Sequence, residues 1–257
     1  MKPDTCKNRQ TYFKWRLSAF AIFPAFVLFF NMSKYKAIIF DLGGTLCRSV
    51  PWSKYETAAY KMAEACAVPP EQFVKAYFAE VSSLGTGLFK TYSDFVQYIL
   101  NKLELNVPYD TVRAAEAYPY TVTREVVTPR DGAQEVIINL KKQGCKLGLI
   151  SDCFFDVTEL WPETPFAPHF DATVFSCEVG MNKANPAIFK IALEKLGVEA
   201  KGCIYVADGA RNELANAAGL GMRAIQIFIP EERDNSPIRE DWRGEKISSL
   251  KDILNLV

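Results

Sequence analysis

Five apolar runs of strand length recur along the chain, and several of them end in a polar side chain. The runs are KAIIF (36–40), KLGLI (146–150), ATVF (172–175), CIYVA (203–207) and RAIQIF (223–228). Continuous apolar runs of this length are typical of strands buried on both faces of a parallel sheet. Helical periodicity lies between the later runs, as parallel crossover connections require. The pattern therefore predicts an α/β protein with a doubly wound, Rossmann-like parallel sheet.

A long segment without a convincing strand separates the first two runs. Its periodicity is helical, and we interpret Ser53-Lys-Tyr-Glu56 as a capping box at the start of a helix. We predict a smaller all-helical domain over residues 49–125, inserted into an α/β core formed by residues 32–48 and 126–257. The insertion should lie over the carboxyl edge of the sheet, where open α/β folds bind ligands. In the core, Asp131 and Asn185 are predicted to cap two further helices.

Residues 1–31 form an extension whose role the sequence leaves open. They contain five basic side chains and one acidic one, followed by 14 apolar or small residues at 17–30. That stretch is shorter than the roughly 20 residues of a membrane span. It is a signal peptide or weak membrane anchor, a helix of the domain, or an extension upstream of a true start at Met32. We favour the start at Met32, because the first strand follows it directly.

Charge and residue usage exclude several classes of function. The whole chain has no net charge, so residues 32–257 carry a mildly acidic balance of −4. An acidic body without a basic stripe argues against nucleic acid as a partner. A single histidine, His169, argues against a Ser-His-Asp triad or a His-rich metal site. The seven cysteines lack metal-binding spacing, which favours reduced thiols and a cytoplasmic location. We expect no membrane contact unless residues 17–30 act as an anchor.

Polar residues at the strand ends predict the chemistry. Asp41 and Ser151 follow the first two runs and Asp208 follows the fourth, while Lys183 lies in a loop between them. The carboxyl ends of such strands meet in one crevice. Two carboxylates can hold Mg²⁺, and a hydroxyl and an ammonium group can bind transferring phosphate oxygens. The set is therefore suited to phosphoryl transfer from a small phosphorylated molecule to an aspartate.

Four segments in this order resemble the motifs of the haloacid dehalogenase (HAD) superfamily. They are AIIFDLGGTL, KLGLISD, CEVGMNKANPAIFKIALEKLGV and CIYVADGARNELANAAGLGMRAI. The resemblance covers about residues 36–228 and implies a HAD-like core with a helical cap between the first two motifs. It implies that Asp41 is the nucleophile and that Ser151 and Lys183 are the other catalytic residues.

The resemblance also implies Mg²⁺ as the cofactor and a set of substrate contacts. The implied metal site consists of Asp41, the backbone carbonyl of Gly43, Asp208 and Glu213, with Glu213 in a supporting role. The implied substrate-binding residues are Thr45, Ser151, Asp152 and Lys183. Two other roles are open for Thr45: its side chain caps the turn after Asp41, or it orients Asp41.

One departure from the family pattern concerns position 43. Most family phosphatases have a second aspartate two residues after the nucleophile, where it protonates the leaving group, and this chain has Gly43. We predict a Mg²⁺-dependent phosphatase of a small phosphorylated metabolite, acting through an aspartyl-phosphate intermediate. A dehalogenase-type hydrolase and a non-catalytic phosphate-binding or regulatory protein are the alternatives that Gly43 keeps open.

Two neighbouring features have structural interpretations. We expect the Gly43-Gly44 pair to permit a tight turn next to a ligand. Cys153, two residues after Ser151, is either an oxidisable thiol near the site or a packed, inert one, and we favour the inert thiol.

Overall fold

Six parallel strands form the single sheet of the computed structural model, which describes residues 34–232 and 238–257. They are β1 (Ala37–Phe40), β2 (Lys146–Ser151), β3 (Ala172–Phe175), β4 (Cys203–Ala207), β5 (Arg223–Ile227) and β6 (Glu245–Ile247). Their order across the sheet is β3-β2-β1-β4-β5-β6. All five apolar runs are strands, so the prediction of an α/β fold with a parallel sheet is confirmed. The sixth strand, at the edge, was not predicted.

The strand order reverses at β1, which lies between β2 and β4. Phe40 pairs with Leu149 on one side and with Val206 on the other. The register therefore places the residues after β1, β2 and β4 at one edge of the sheet. A crevice opens at such a reversal point in open α/β sheets. This edge carries the polar residues that the sequence singled out.

Helices cover both faces of the sheet. They are α7 (Ala133–Lys142), α8 (Phe155–Leu160), α9 (Ser176–Val179), α10 (Ala187–Leu196) and α11 (Glu213–Gly219). The β1 side chains alternate between two apolar clusters, as the period of a strand requires. Ile38 and Phe40 belong to the cluster that contains α7 residues, and Ile39 belongs to the cluster with α10 and α11 residues. The sheet is thus buried on both sides.

Six helices connect β1 to α7. They are α1 (Trp52–Ala65), α2 (Pro70–Glu80), α3 (Ser82–Gly85), α4 (Tyr92–Lys102), α5 (Tyr109–Ala115) and α6 (Ala117–Val126). These helices bury an apolar cluster of their own, with Met62, Phe73 and Phe95 fully enclosed. Phe155 of α8 joins this cluster from the sheet side. The helical segment therefore has its own core and also packs on the rest of the molecule.

The chain enters and leaves the helical segment at one point. Cys47 and Pro129 form an antiparallel bridge there. Next to it, the buried Arg130 guanidinium donates to the carbonyl of Thr45 at 2.9 Å and to that of Gly44 at 3.0 Å. Arg130 also pairs with Glu232 at 2.8 Å. The segment through which the chain returns from the helices is thereby attached to the loop that follows β1.

Two of the predicted helix caps are wrong. Helix α1 begins at Trp52 after Pro51, so Ser53 lies inside the first turn and makes no capping hydrogen bond. Helix α7 begins after Gly132, whose φ of 79° ends the preceding turn, and Asp131 pairs with Arg48 instead. The predicted cap at Asn185 holds in part: its side chain accepts from the Ala187 amide at 3.0 Å, with Pro186 between them.

The interpretations of residues 1–31, including the apolar stretch 17–30 and the start at Met32, lie outside the described residues. Within the described part of the chain, no helix is both long enough and apolar enough to cross a membrane. The six cysteines of that part are free, buried thiols.

Candidate active site

The Asp41 carboxylate is held by two side chains. It directly follows β1 and is 4% exposed. One oxygen accepts a hydrogen bond from Lys183 Nζ at 2.5 Å, and the other accepts from the Thr45 hydroxyl at 2.9 Å. Thr45 is fully buried behind the carboxylate, so it orients Asp41 rather than caps the turn. Thr45 is not among the residues that line the cavity, and its contact with substrate stays a prediction.

Glu213 forms a buried ion pair with Lys183. It is fully buried at the start of α11, and its Oε2 lies 2.5 Å from Lys183 Nζ. The same oxygen accepts from the Tyr205 hydroxyl at 2.8 Å. Its Oε1 accepts from the amides of Gly209 and Ala210 at 3.0 and 2.8 Å. With donors on both oxygens, Glu213 is a fixed support for the ammonium group of Lys183.

Gly44 allows the Asp208 carboxylate to approach the loop after β1. The φ of Gly44 is +75°, and a Cβ there would lie 2.0 Å from Asp208 Oδ2. Glycine is therefore required for both backbone shape and space. Of the Gly43-Gly44 pair, Gly44 is thus the residue whose backbone makes the tight turn. Asp208 Oδ2 also forms an ion pair with Arg239.

Three carboxylates meet at this edge. Oxygens of Asp41, Asp208 and Glu213 all lie within 4.8 Å of one another. Burial, opposed by Lys183, raises the pKa of Asp41 to about 7, and burial together with Glu213 raises the pKa of Asp208 to about 6. A bound divalent cation would reverse such shifts, since it supplies the missing positive charge. Clustered oxygen donors of this kind fit Mg²⁺.

Lys183 stays protonated in this environment. Burial pushes its pKa down, but the charges of Asp41 and Glu213 outweigh burial and raise the pKa well above its usual value. The backbone amide of Lys183 donates to Asp152 Oδ1 at 2.9 Å. Asp152 Oδ2 lies 3.5 Å from Arg211 Nε. Asp152 therefore positions the lysine loop.

A cavity of about 440 Å³ opens above these groups. Its floor includes Asp41, Gly43, Ser151, Asp152, Lys183 and Asp208. Aromatic side chains of the helical segment, Tyr55, Tyr77, Phe78 and Tyr92, line its far side. Ser151 ends β2 and is nearly buried at the floor. The structure thus brings together every site residue that the sequence predicted, with Thr45 and Glu213 behind the surface.

Sequence reasoning missed three arginines that contact residues of this site: Arg211 beside Asp152, Arg130 and Arg239. Arg239 comes from a segment whose backbone pairs with Ala210, and Arg130 holds the loop after β1. Both lie far along the chain from the residues they contact. No periodicity or spacing marks Arg239, while Arg130 lies five residues after the predicted end of the helical insertion.

A family model described as haloacid dehalogenase-like hydrolase matches residues 35–221. The chain belongs to this family, and it is a hydrolase of the HAD type. Among curated proteins it is similar to glyceraldehyde 3-phosphate phosphatase of Methanocaldococcus jannaschii, at 24% identity over 86% of this chain and 96% of that protein. The corresponding protein of Pyrococcus furiosus is 29% identical over 88% and 94%. Pyrophosphatase PpaX of Bacillus velezensis is 25% identical over 83% and 94%.

Solved structures share the fold. A 2-haloacid dehalogenase from Pseudomonas syringae superposes with a TM-score of 0.63 at 21% identity, covering 86% of this chain and 97% of that one. A HAD family enzyme from Bacteroides thetaiotaomicron, in complex with magnesium and inorganic phosphate, superposes with a TM-score of 0.55 at 20% identity, covering 79% and 98%.

Proposed function

We propose that this chain is a Mg²⁺-dependent phosphatase of a small phosphorylated metabolite. The observation that carries the proposal is the environment of the Asp41 carboxylate at the cavity floor. It accepts hydrogen bonds from Thr45 and Lys183 and lies close to the carboxylates of Asp208 and Glu213. A carboxylate fixed beside an ammonium group and further carboxylates is suited to attack a phosphate in the presence of a cation. The relatives named phosphatases support the same class of reaction.

The residues supply most of the chemistry that two successive displacements need. In the first, an Asp41 oxygen attacks phosphorus, the ester P–O bond breaks, the leaving oxygen departs with the bonding electrons and takes a proton from water, and the phosphoryl group is carried on Asp41. Lys183 and the Ser151 hydroxyl bind the phosphoryl oxygens where charge develops. In the second, water displaces Asp41 from phosphorus and releases inorganic phosphate. Asp41, the Gly43 carbonyl and Asp208 would hold Mg²⁺, which offsets the repulsion between carboxylate and phosphate.

Release of inorganic phosphate from a panel of esters tests the proposal. The panel should include p-nitrophenyl phosphate and glyceraldehyde 3-phosphate, with Mg²⁺ and with a chelator. We expect turnover that requires Mg²⁺ and a rise in melting temperature on addition of Mg²⁺. Halide release from a 2-haloacid without phosphatase activity would instead identify a dehalogenase. Phosphate binding without turnover of any ester would identify a non-catalytic protein. A cytoplasmic location stays a prediction.

A further inference from the structure

The charged side chains that line the cavity form ion pairs, with one exception. The pairs are Asp41–Lys183, Asp152–Arg211, Asp208–Arg239 and Arg48–Asp131. The exception is Asp156, which also lines the cavity and is 1% exposed. Within the part of the chain that the structure describes, no cationic side chain pairs with it. The cavity thus contains one buried carboxylate to which the described residues supply no counterion.

Three neutral groups hold the Asp156 carboxylate. Its Oδ2 accepts hydrogen bonds from the Tyr92 hydroxyl at 2.7 Å and from the Thr123 hydroxyl. Its Oδ1 accepts from the Val157 amide at 2.9 Å, and from no other described residue. These donors carry no charge, so they leave the negative charge of the carboxylate uncompensated. Because a carboxylate oxygen has two acceptor positions, Oδ1 can accept one more hydrogen bond.

Burial makes the charge of Asp156 unfavourable. It raises the pKa of this carboxyl group, although the hydrogen bonds from Thr123 and Tyr92 oppose the rise. A buried carboxylate costs free energy unless a cation is paired with it. A cation nearby favours the charged form. A ligand that carries a cationic group into the cavity would therefore be stabilised at Asp156.

The wall of the cavity on the helical segment is aromatic. It contains the side chains of Trp52, Tyr55, Tyr77, Phe78 and Tyr92. The ring of Phe78 lies 4.7 Å from that of Trp52 and 5.3 Å from that of Tyr77, between ring centres. The faces of such rings attract ammonium groups. A carboxylate without a counterion, bonded to one residue of an aromatic wall, is suited to bind an alkylammonium group.

We propose that the substrate is a phosphate monoester whose alcohol carries a cationic amine, bound by Asp156 and the aromatic wall. This inference rests on the proposed phosphatase function and narrows its substrate class. Lys183 and Ser151 bind the phosphate end of such a molecule, and Asp156 binds the other end. Residues of both sites line the same cavity, so one ligand can occupy both. The alcohol of a neutral sugar phosphate would leave Asp156 without a counterion.

Asp156 also has a structural role that does not require its charge. It lies on α8 of the core, and its two hydroxyl donors lie on α4 and α6 of the helical segment. These hydrogen bonds attach the helical segment to the core, but they need an acceptor oxygen and not a charge. An amide at this position separates the two roles, because it keeps an acceptor oxygen and removes the charge.

Binding of non-hydrolysable phosphonates tests the proposal without turnover. 4-Aminobutylphosphonate and pentylphosphonate have nearly the same length and differ in the ammonium group. In calorimetry with Mg²⁺ present, we expect the amino compound to bind about 10–100-fold more tightly, as a hydrogen bond to a charged group implies. The shorter pair, 2-aminoethylphosphonate and propylphosphonate, tests the reach of the ammonium group. Equal or weaker binding of the amino compound in both pairs would overturn the proposal.

Asp156→Asn should reduce the preference for the amino compound to about onefold. Glu159→Gln is the matched control and should keep the preference. Glu159 lies on the same helix and accepts a hydrogen bond from the Tyr120 hydroxyl at 2.5 Å, but it does not line the cavity. The preference is a ratio within one protein, so a general change in phosphate affinity cancels. An unchanged preference in Asp156→Asn, or an equal loss in Glu159→Gln, would refute the role of Asp156. If Asp156→Asn does not fold, the comparison in the wild type still decides.

This proposal and the phosphatase proposal can fail separately. Release of phosphate from p-nitrophenyl phosphate, without a preference for the amino phosphonates, would keep the phosphatase and overturn the amine site. A preference for the amino phosphonates that Asp156→Asn removes, without turnover of any ester, would support the amine site and contradict the phosphatase.

Discussion

A carboxylic acid introduced at position 43 is expected to change which phosphate esters the enzyme cleaves. Gly43 lines the cavity beside Asp41. A Cβ built on it meets no atom within 4 Å, and its backbone, unlike that of Gly44, lies outside the left-handed region. Gly43→Asp should therefore fold without strain and direct a carboxyl group into open space above the Asp41 carboxylate.

The size of the effect depends on the leaving group. Without an acid at position 43, the leaving oxygen departs with its charge or takes a proton from water. Aryl and acyl phosphates tolerate this well, and sugar phosphates tolerate it poorly. A positioned acid contributes about 10²–10⁴-fold. We expect Gly43→Asp to accelerate sugar phosphates by up to about 10²-fold, which corresponds to roughly 2.7 kcal/mol of barrier, and to change aryl phosphates little.

The assay is kcat/KM for a series of esters whose leaving groups span a wide range of pKa. The wild type should show a steep dependence of rate on leaving-group pKa, and Gly43→Asp a flatter one. Gly43→Asn is the matched control, because it has nearly the same shape and no acidic proton. A wild type that hydrolyses sugar phosphates as fast as aryl phosphates would refute the reasoning. Equal acceleration by Asp and Asn would do the same.

Three further variants test the site. Asp41→Asn should remove turnover while the circular dichroism spectrum and melting temperature are kept, since the amide is nearly isosteric but not nucleophilic; undiminished activity would contradict the mechanism. Lys183→Met leaves two buried carboxylates without their partner, so urea unfolding should show a loss of about 3–5 kcal/mol; an unchanged stability would contradict the ion-pair assignment. Gly44→Ala should weaken Mg²⁺ binding in calorimetry, because the new Cβ would collide with Asp208. Gly144→Ala is the control, since Gly144 has a similar φ of +82° but open space around it, and it should bind Mg²⁺ as the wild type does. Equal Mg²⁺ affinity in both variants would contradict the packing argument.

The strands and their polar ends were predictable because burial leaves a direct record in the sequence. A parallel strand covered on both faces has to be apolar throughout, and the residue after it becomes polar where the crevice opens. Asp41 and Asp208 could be located in this way. The edge strand β6 gave no such signal, since it has three residues and begins Glu245-Lys246. An edge strand is exposed on one side and does not need an apolar run.

Helix starts and distant contacts were harder to predict. Ser53 fits a capping box in sequence, but the helix already begins one residue earlier, after Pro51, whose fixed φ suits that position. Helices α5 and α6 were not assigned individually from the sequence. Pro119 interrupts their periodicity, and in the structure it lies within the first turn of α6, where proline is tolerated. The Arg239 contact with Asp208 depends on tertiary structure alone.

The bridge between Cys47 and Pro129 has a consequence for how the helical segment can change in length during evolution. Because the chain leaves the sheet and returns to it at one point, the six helices are topologically a single long loop with joined ends. The closure entropy of a loop grows only with the logarithm of its length. Changes in the length of this helical loop therefore change the entropy of closing it, and hence the stability of the sheet, only slightly. The helical side of the cavity can diversify while the loop after β1, fastened by Arg130, stays the same.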